Sequence, residues 1–527
     1  MIASISASDN SARRARIIAA LLIMLYVAAR LWKLTDACLW FDELFSVHAA
    51  RHGWAGLLAF VSADLIHPPL FYLLLKIWIV IGGESLWWLR LFPVLMACAA
   101  LVPFFLLCRE LRLNSTEINL TLLLLAVNGY LINYAQVIRM YSLLVLLALC
   151  SLWLFARLCH IEEASWRGWL SLWAVDLLLI YTHYFGWLVI LAELFYLLAR
   201  RRRKLIPFCK LIGVLFLCYV PWALTVARAA TQSAGLAQNI GWMPRPDLDA
   251  LARYFVQLHE PLLFREAAGL RGARLVFWLL FYFILFGCPI LLWAARSLKA
   301  RAAKETSDDK LLFLLTFSLL PLVGVFALSY LLPHSIWGAR HLLIVAVPYL
   351  ILLAVALRRL RPHWLSHVIL IIFVCWTLLA GESQVLKKEP HFIWCAWDEL
   401  IARFVNAEAA APRGTKIYAF EDLTAYHLWF ALDTLHEKRF QVALVKDIPG
   451  LIEDPAYFLP RGFAEISFSN SPAINEESFW LAFRDTAWNP ERQPLKTFTE
   501  RGYQVEERLQ IEAHGYTAFL VRLRRRH

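Results

Sequence analysis

The sequence predicts a polytopic α-helical membrane protein carrying a C-terminal external α/β domain. Sixty per cent of the 527 residues are hydrophobic and only 17% are charged, and the mean hydropathy is +0.58, values that exclude a water-soluble globule. The apolar residues gather in runs of roughly the ~20 residues that cross a bilayer. Near 382–391 these runs give way to short strand-like stretches separated by polar ones.

The first run follows Arg13, Arg14 and Arg16 and reaches Tyr26 and Trp32 without a small-residue cleavage site, so it reads as a retained helix rather than a signal peptide. Spans are expected at 16–34, 87–107, 118–133, 138–158, 168–182, 185–199, 206–227, 271–295, 311–332, 341–357 and 364–382, about eleven in all. The run 70–83 is a twelfth candidate, and loop charge decides its place. If it does not cross, Arg109/Arg112, Arg157/Arg167, the 200–204 basic run, the 296–310 loop and Arg358/Arg359/Arg361 all share one side with the N-terminal arginines, as cytoplasmic loops do. It is therefore expected to be a juxtamembrane or re-entrant helix beginning at Pro68-Pro69.

Two domains follow, a transmembrane one over 1–390 and an external α/β one over 391–527. In the second, strands are expected at 416–420, 440–445 and 516–521, and an amphipathic helix at 397–406. The net charge of +12 does not point to nucleic acid, because Lys and Arg sit in short runs between apolar segments. None of the ten cysteines has CxxC or metal-ligand spacing, which argues against redox chemistry. No internal repeat or low-complexity segment is present.

The stretch around which the chain is organised is Leu39-Trp40-Phe41-Asp42-Glu43-Leu44, at the mouth of the first span. Two adjacent carboxylates beside hydrocarbon are costly and mark a functional site by default. On the same external face fall His67-Pro68-Pro69-Leu70, Arg90, the 136–141 turn with Arg139 and Tyr141, His183, and Arg340-His341. Asp42 can serve as a base, and Arg90, Arg139 and Arg340 are cations able to neutralise a phosphate. Bland alternatives exist for each: a solvated cap for Asp42-Glu43, an interfacial anchor for Arg90 beside Trp87 and Trp88, an interfacial polar group for His183, a snorkelling cation for Arg340. The chain holds its own control in Trp397-Asp398-Glu399-Leu400, nearly the same spelling in an amphipathic pattern, where the carboxylates read as a solvated helix face.

Taken in order, Phe41-Asp42-Glu43, His67-Pro68-Pro69-Leu70, Leu89-Arg90-Leu91-Phe92-Pro93 and Gln136-Val137-Ile138-Arg139-Met140-Tyr141 resemble the motifs of the GT-C membrane glycosyltransferases, in the protein O-mannosyltransferase and lipid A aminoarabinose transferase group. The resemblance covers roughly the first 200 residues, with Arg340-His341-Leu342 and Pro348 matching more loosely, since many relatives read Arg-Tyr there. It implies a GT-C fold in a bacterial inner membrane, with the active site and C-terminal domain periplasmic. It further implies a polyprenyl-phosphate sugar donor, a cell-envelope acceptor and a single inverting displacement. Asp42 would be the base, with Glu43 beside it in hydrogen bonding or pairing to Arg90. His67, Arg90, Arg139, Tyr141, His183, Arg340 and His341 would bind substrate. No cofactor is expected beyond the lipid-linked donor, and no cluster demands a metal, although Asp42 and Glu43 can hold a cation weakly. The alternative is a transporter or flippase of lipid-linked sugars, for which repeated halves and broken midplane helices would be expected. The external domain is expected to assist acceptor selection and not the chemical step.

Overall fold

A computed structural model of the chain describes residues 2–526 apart from 164, 232–236, 263–268, 303–308, 387–390, 449–458 and 461–462. Helices fill the chain to Leu386, and a six-stranded sheet follows between Thr415 and Arg525. The boundary expected at 390/391 falls against 387–390, outside the described residues.

Among the described residues, seven helices are long and apolar enough to cross a membrane, including Leu86–Glu110, Tyr141–His160 and His363–Leu386, and shorter apolar helices lie between them. Lipid-facing side chains such as Leu217 and Leu331 stay exposed. Helix Leu343–Arg359 is the opposite case: every side chain from Leu343 to Leu357 is buried. It is apolar all round, so it belongs at the centre of the bundle.

Two expectations change in detail. The 118–133 span is two helices, Ser115–Val127 and Gly129–Gln136. Asn128 breaks them apart because its Oδ1 accepts from Leu131 N–H to cap the second helix, while its Nδ2 donates to the Leu258 carbonyl. The 271–295 span holds a π-helical turn at Phe283–Gly287. The run 70–83 forms a helix of 13 residues, Leu70–Gly82, about 20 Å long and shorter than the ~30 Å hydrocarbon layer. It is fixed to the next helix by two indoles stacked 4.1 Å apart, Trp78 and Trp88, each donating its N–H to the other's backbone carbonyl. A Cβ on Gly82 would lie 2.0 Å from the Trp88 ring, so only glycine fits there.

In the C-terminal part the strands are β1 (Thr415–Ala419), β2 (Phe440–Lys446), β3 (Ser467–Asn470), β4 (Ser478–Asp485), β5 (Tyr503–Ala513) and β6 (Tyr516–Arg525). The sheet order is β3-β2-β1-β4-β6-β5. β1 to β4 are mutually parallel, and β5 and β6 form an antiparallel hairpin on the β4 edge. The expected 416–420, 440–445 and 516–521 strands correspond to β1, β2 and β6, and the amphipathic helix is Ile393–Ala407. One face of the sheet, with helices Ile393–Ala407 and Asp422–Thr434, belongs to the same continuous core as the membrane helices. The other face forms a separate core closed by Phe498 and Leu495.

Candidate functional site

Asp42 and Glu43 open the helix Phe41–Arg51. Glu43 is fully buried. Its Oε2 accepts from Trp40 N–H at 3.2 Å and from Arg90 Nη2 at 3.1 Å, and its Oε1 accepts from Ile138 N–H at 2.9 Å. A single carboxylate thus joins the start of its own helix, the helix bearing Arg90 and the turn before Arg139. At the far end, Lys76 Nζ donates to the carbonyls of Ala50 and His52, satisfying groups the helix itself leaves unpaired.

Asp42 points another way. Its Oδ2 accepts from Arg340 Nη1 at 3.2 Å, with side-chain exposures of 16% and 27% for Asp42 and Arg340. Burial pushes the Asp42 carboxyl up, but Arg139 and Arg340 outweigh it and hold the group below the usual carboxylate range. Asp42 is therefore ionised.

Arg139 is nearly enclosed. Its Nη1 donates to the Asp42 backbone carbonyl at 3.2 Å and the Tyr72 hydroxyl at 3.1 Å, and its Nη2 donates to His67 Nε2 at 3.0 Å. His67 Nδ1 lies 2.8 Å from Asp64 Oδ2. Burial and the adjacent Arg139 push the His67 imidazole well below its ordinary value, so it is neutral, with Nδ1–H donating to Asp64 and Nε2 accepting from Arg139. From His67 a file of imidazoles continues to His183, with centroids 6.4 Å apart, and on to His341 at 5.1 Å. His183 Nδ1 accepts from Phe185 N–H. Gly338 admits the His341 ring, since a Cβ there would lie 2.9 Å from Nδ1. Tyr141 is buried edge-on against Tyr134. The turn Ala339–Leu342 that presents Arg340 is held by the Tyr130 hydroxyl on the Ala339 carbonyl and the Tyr254 hydroxyl on that of Leu342.

Residues 66–224 match the family model described as dolichyl-phosphate-mannose-protein mannosyltransferase. No curated protein matches the sequence. Among solved structures, ArnT from Cupriavidus metallidurans in the apo state aligns with 97% of this chain and 98% of its own, at 13% identity and a TM-score of 0.58. The same protein bound to undecaprenyl phosphate aligns with 96% and 97% at the same identity and score. The chain is a multi-pass membrane protein of the GT-C glycosyltransferase fold.

On that fold, the structure brings Asp42, Glu43, His67, Arg139, Tyr141, His183, Arg340 and His341 around one site but sorts them by freedom. Arg90, expected as a substrate cation, is tied into the scaffold: its two terminal nitrogens donate to the carbonyls of Leu34, Ala37 and Cys38 and to Glu43, and the residue is buried. Those four bonds use every terminal N–H, and the one remaining donor, Nε–H, is buried. Glu43 likewise has both oxygens engaged, tying its neighbours together.

Sequence reasoning missed Tyr72 and Asp64, which complete the Arg139 and His67 contacts. Tyr72 is spelled like any interfacial tyrosine. Asp64 lies three residues before His67, a spacing that offered a weak signal. Also missed was the disulfide between Cys38 and Cys395, 357 residues apart. One stands just before the Asp42-Glu43 stretch and the other in the C-terminal domain, both outside the long apolar runs that hold the remaining cysteines, which was the available clue.

Proposed function

We propose that this protein transfers a sugar from a polyprenyl-phosphate carrier to a cell-envelope acceptor in a single inverting displacement on the external face of a bacterial inner membrane, with residues 1–390 holding the reaction and 391–527 lying outside. The observation that carries this reading is the Asp42–Arg340 pair. It joins a partly exposed carboxylate to a partly exposed guanidinium in a site whose other charged groups are tied into the scaffold. In the reaction the acceptor oxygen attacks the anomeric carbon as the bond from that carbon to the phosphate oxygen breaks. The acceptor proton passes to Asp42, and the phosphate leaves as an anion needing no general acid. Arg340 suits the phosphate because its fork can hold two oxygens. Moving Arg340 onto phosphate also weakens the ion pair that depresses Asp42, which raises its basicity when the donor is seated. The imidazoles of His183 and His341 suit sugar hydroxyls, whereas both nitrogens of His67 are held by Asp64 and Arg139.

Three things support the lipid-linked donor and the orientation: the family match over 66–224, the bound undecaprenyl phosphate in the ArnT structure, and the Cys38–Cys395 disulfide, which belongs to an oxidising compartment. The test incubates the purified protein with radiolabelled undecaprenyl-phosphate glucose, mannose and aminoarabinose and an envelope extract. Labelled acceptor that disappears with Asp42→Asn is the expected result. Carrier moved across vesicles with no sugar transferred would overturn the reading in favour of a flippase.

A further inference from the structure

Helix Phe41–Arg51 has two working faces. One presents Asp42, Glu43 and Ser46 to Arg139, Arg340 and Arg90. The other presents Phe41, His48 and Arg51, seven and then three residues apart and so on one stripe, and this stripe is covered by the C-terminal domain. The Tyr426 ring meets the Phe41 ring edge-on at 5.6 Å, and its hydroxyl lies 2.9 Å from His48 Nδ1. Trp429 and Phe463 close on the His48 ring at 4.7 and 4.8 Å. Arg51 Nη1 donates to Asp433 Oδ2 at 2.6 Å, while the rest of its guanidinium holds Glu84. Tyr426 and Asp433 both lie on helix Asp422–Thr434, seven residues apart. A covalent tie stands before the helix: Cys38, four residues ahead of Asp42, is bonded to Cys395 in the first helix of the domain. The same loop is gripped from the membrane side by Arg90 on the carbonyls of Leu34, Ala37 and Cys38.

We propose that the C-terminal α/β domain is a working part of the catalytic site: through Tyr426, Asp433 and the Cys38–Cys395 bond it clamps the far face of helix Phe41–Arg51 and so sets the position of Asp42. Tyr426 is the principal positioning residue, touching the helix on both sides of Asp42 along the chain. The proposal replaces the expectation that the domain leaves the chemical step alone, and it rests on the assignment of Asp42 as base. The arrangement makes physical sense because a proton transfer tolerates little displacement. About 1 Å of misplacement costs on the order of 100-fold, and a helix of 11 residues is too short to be rigid without packing on both sides.

The test uses the full chain in detergent and compares Tyr426→Ala, Tyr426→Phe and Cys38→Ser/Cys395→Ser with the parent and with Asp42→Asn. Three quantities are read: kcat with the best donor of the panel above, Kd for undecaprenyl phosphate, and amide hydrogen exchange over 41–51. Tyr426→Ala is expected to lower kcat at least tenfold with Kd unchanged within about twofold and with faster exchange in 41–51. Tyr426→Phe keeps the ring against Phe41 and should retain most of the turnover. The double serine variant, or the parent under dithiothreitol, should lie between them, and it supplies the same test should Tyr426→Ala fail to fold. Parental kcat and exchange in Tyr426→Ala, or a fall in kcat matched by an equal loss of undecaprenyl phosphate binding, would overturn the clamp. An active Asp42→Asn would instead overturn the base assignment, and the exchange data judge the clamp independently of turnover.

Discussion

The chain writes nearly the same four residues twice, as Phe41-Asp42-Glu43-Leu44 and as Trp397-Asp398-Glu399-Leu400, and folds them into unlike environments. In the first, Glu43 is fully buried against Arg90, and Asp42 faces Arg340 and Arg139. In the second, Trp397 and Leu400 are the buried members and both carboxylates reach the surface, with Glu399 paired to Arg403 one turn on and to His391 at 3.8 Å, and with the neighbouring core pushing the Asp398 carboxyl up to about 6 by desolvation. A carboxylate in water is solvated wherever it points. A carboxylate beside hydrocarbon persists only where donors have been built around it. The difference between the two stretches is therefore made by residues far away in sequence.

The largest effect expected from breaking the comparison is kinetic. Asp42→Asn keeps the shape and the bond to Arg340 but removes the proposed base, so transfer at saturating donor should fall about 10²- to 10⁴-fold. Asp398→Asn should leave transfer unchanged. Equal activity of the two variants would dissolve the distinction.

Stability separates the second carboxylates. Glu43→Gln leaves the enclosed Arg90 without its counter-charge, and breaking a buried pair from one side costs on the order of 3 kcal/mol. Urea or thermal unfolding of the detergent-solubilised protein should show a loss of that size. A change within about 0.5 kcal/mol would mean that the backbone carbonyls of Leu34, Ala37 and Cys38 suffice to hold Arg90.

How far this was legible in the sequence depends on the kind of feature. Spans were readable because hydrophobic burial leaves a local periodicity, and Asp42 because a charge at a membrane mouth is expensive. β1, β2 and β6 were readable from short apolar cores (Ile417 to Ala419, Val442 to Val445, Ala518 to Val521), whereas β5 alternates with charges such as Glu506 and Arg508 and reads as polar chain. The break at Asn128 was hidden because one asparagine in an apolar run carries too little signal, and its partner, the Leu258 carbonyl, lies 130 residues away. Ranking the arginines was beyond the sequence for the same reason. Arg90, Arg139 and Arg340 are spelled alike, and only the groups packed around the first two show that their terminal nitrogens are already engaged.

That ranking gives a pH prediction of intermediate size. The Asp42 carboxyl is held below the usual carboxylate range by Arg139 and Arg340, so its charge survives acidification that would neutralise an ordinary aspartate. It contributes stability above its unfolded value of about 4, and this is lost as the pH falls through the lower folded value. The acid limb of kcat/KM should accordingly lie below the ordinary carboxylate range. Arg340→Gln should move that limb to higher pH, besides weakening donor binding by roughly 1.5 to 3 kcal/mol for one charge-assisted contact. An acid limb that stays in place in Arg340→Gln would assign the depression to Arg139 alone.

The smallest expected effect belongs to the second copy of the motif, and it sharpens the comparison by being small. Glu399 and Arg403 are one helical turn apart with side-chain exposures of 44% and 60%. At such exposure the attraction is screened by water and salt, and holding two long side chains together costs entropy. An exposed pair at this spacing is therefore worth about 0.3 to 0.5 kcal/mol at most. The double variant Asp398→Asn/Glu399→Gln should change unfolding free energy by less than about 0.5 kcal/mol, and what change there is should vanish in 1 M salt, where the screening length falls to about 3 Å. Transfer activity should match the parent. A loss that persists in high salt would mean that these carboxylates contact something other than Arg403 and His391, and the contrast with Asp42-Glu43 would then be one of partner rather than of solvation.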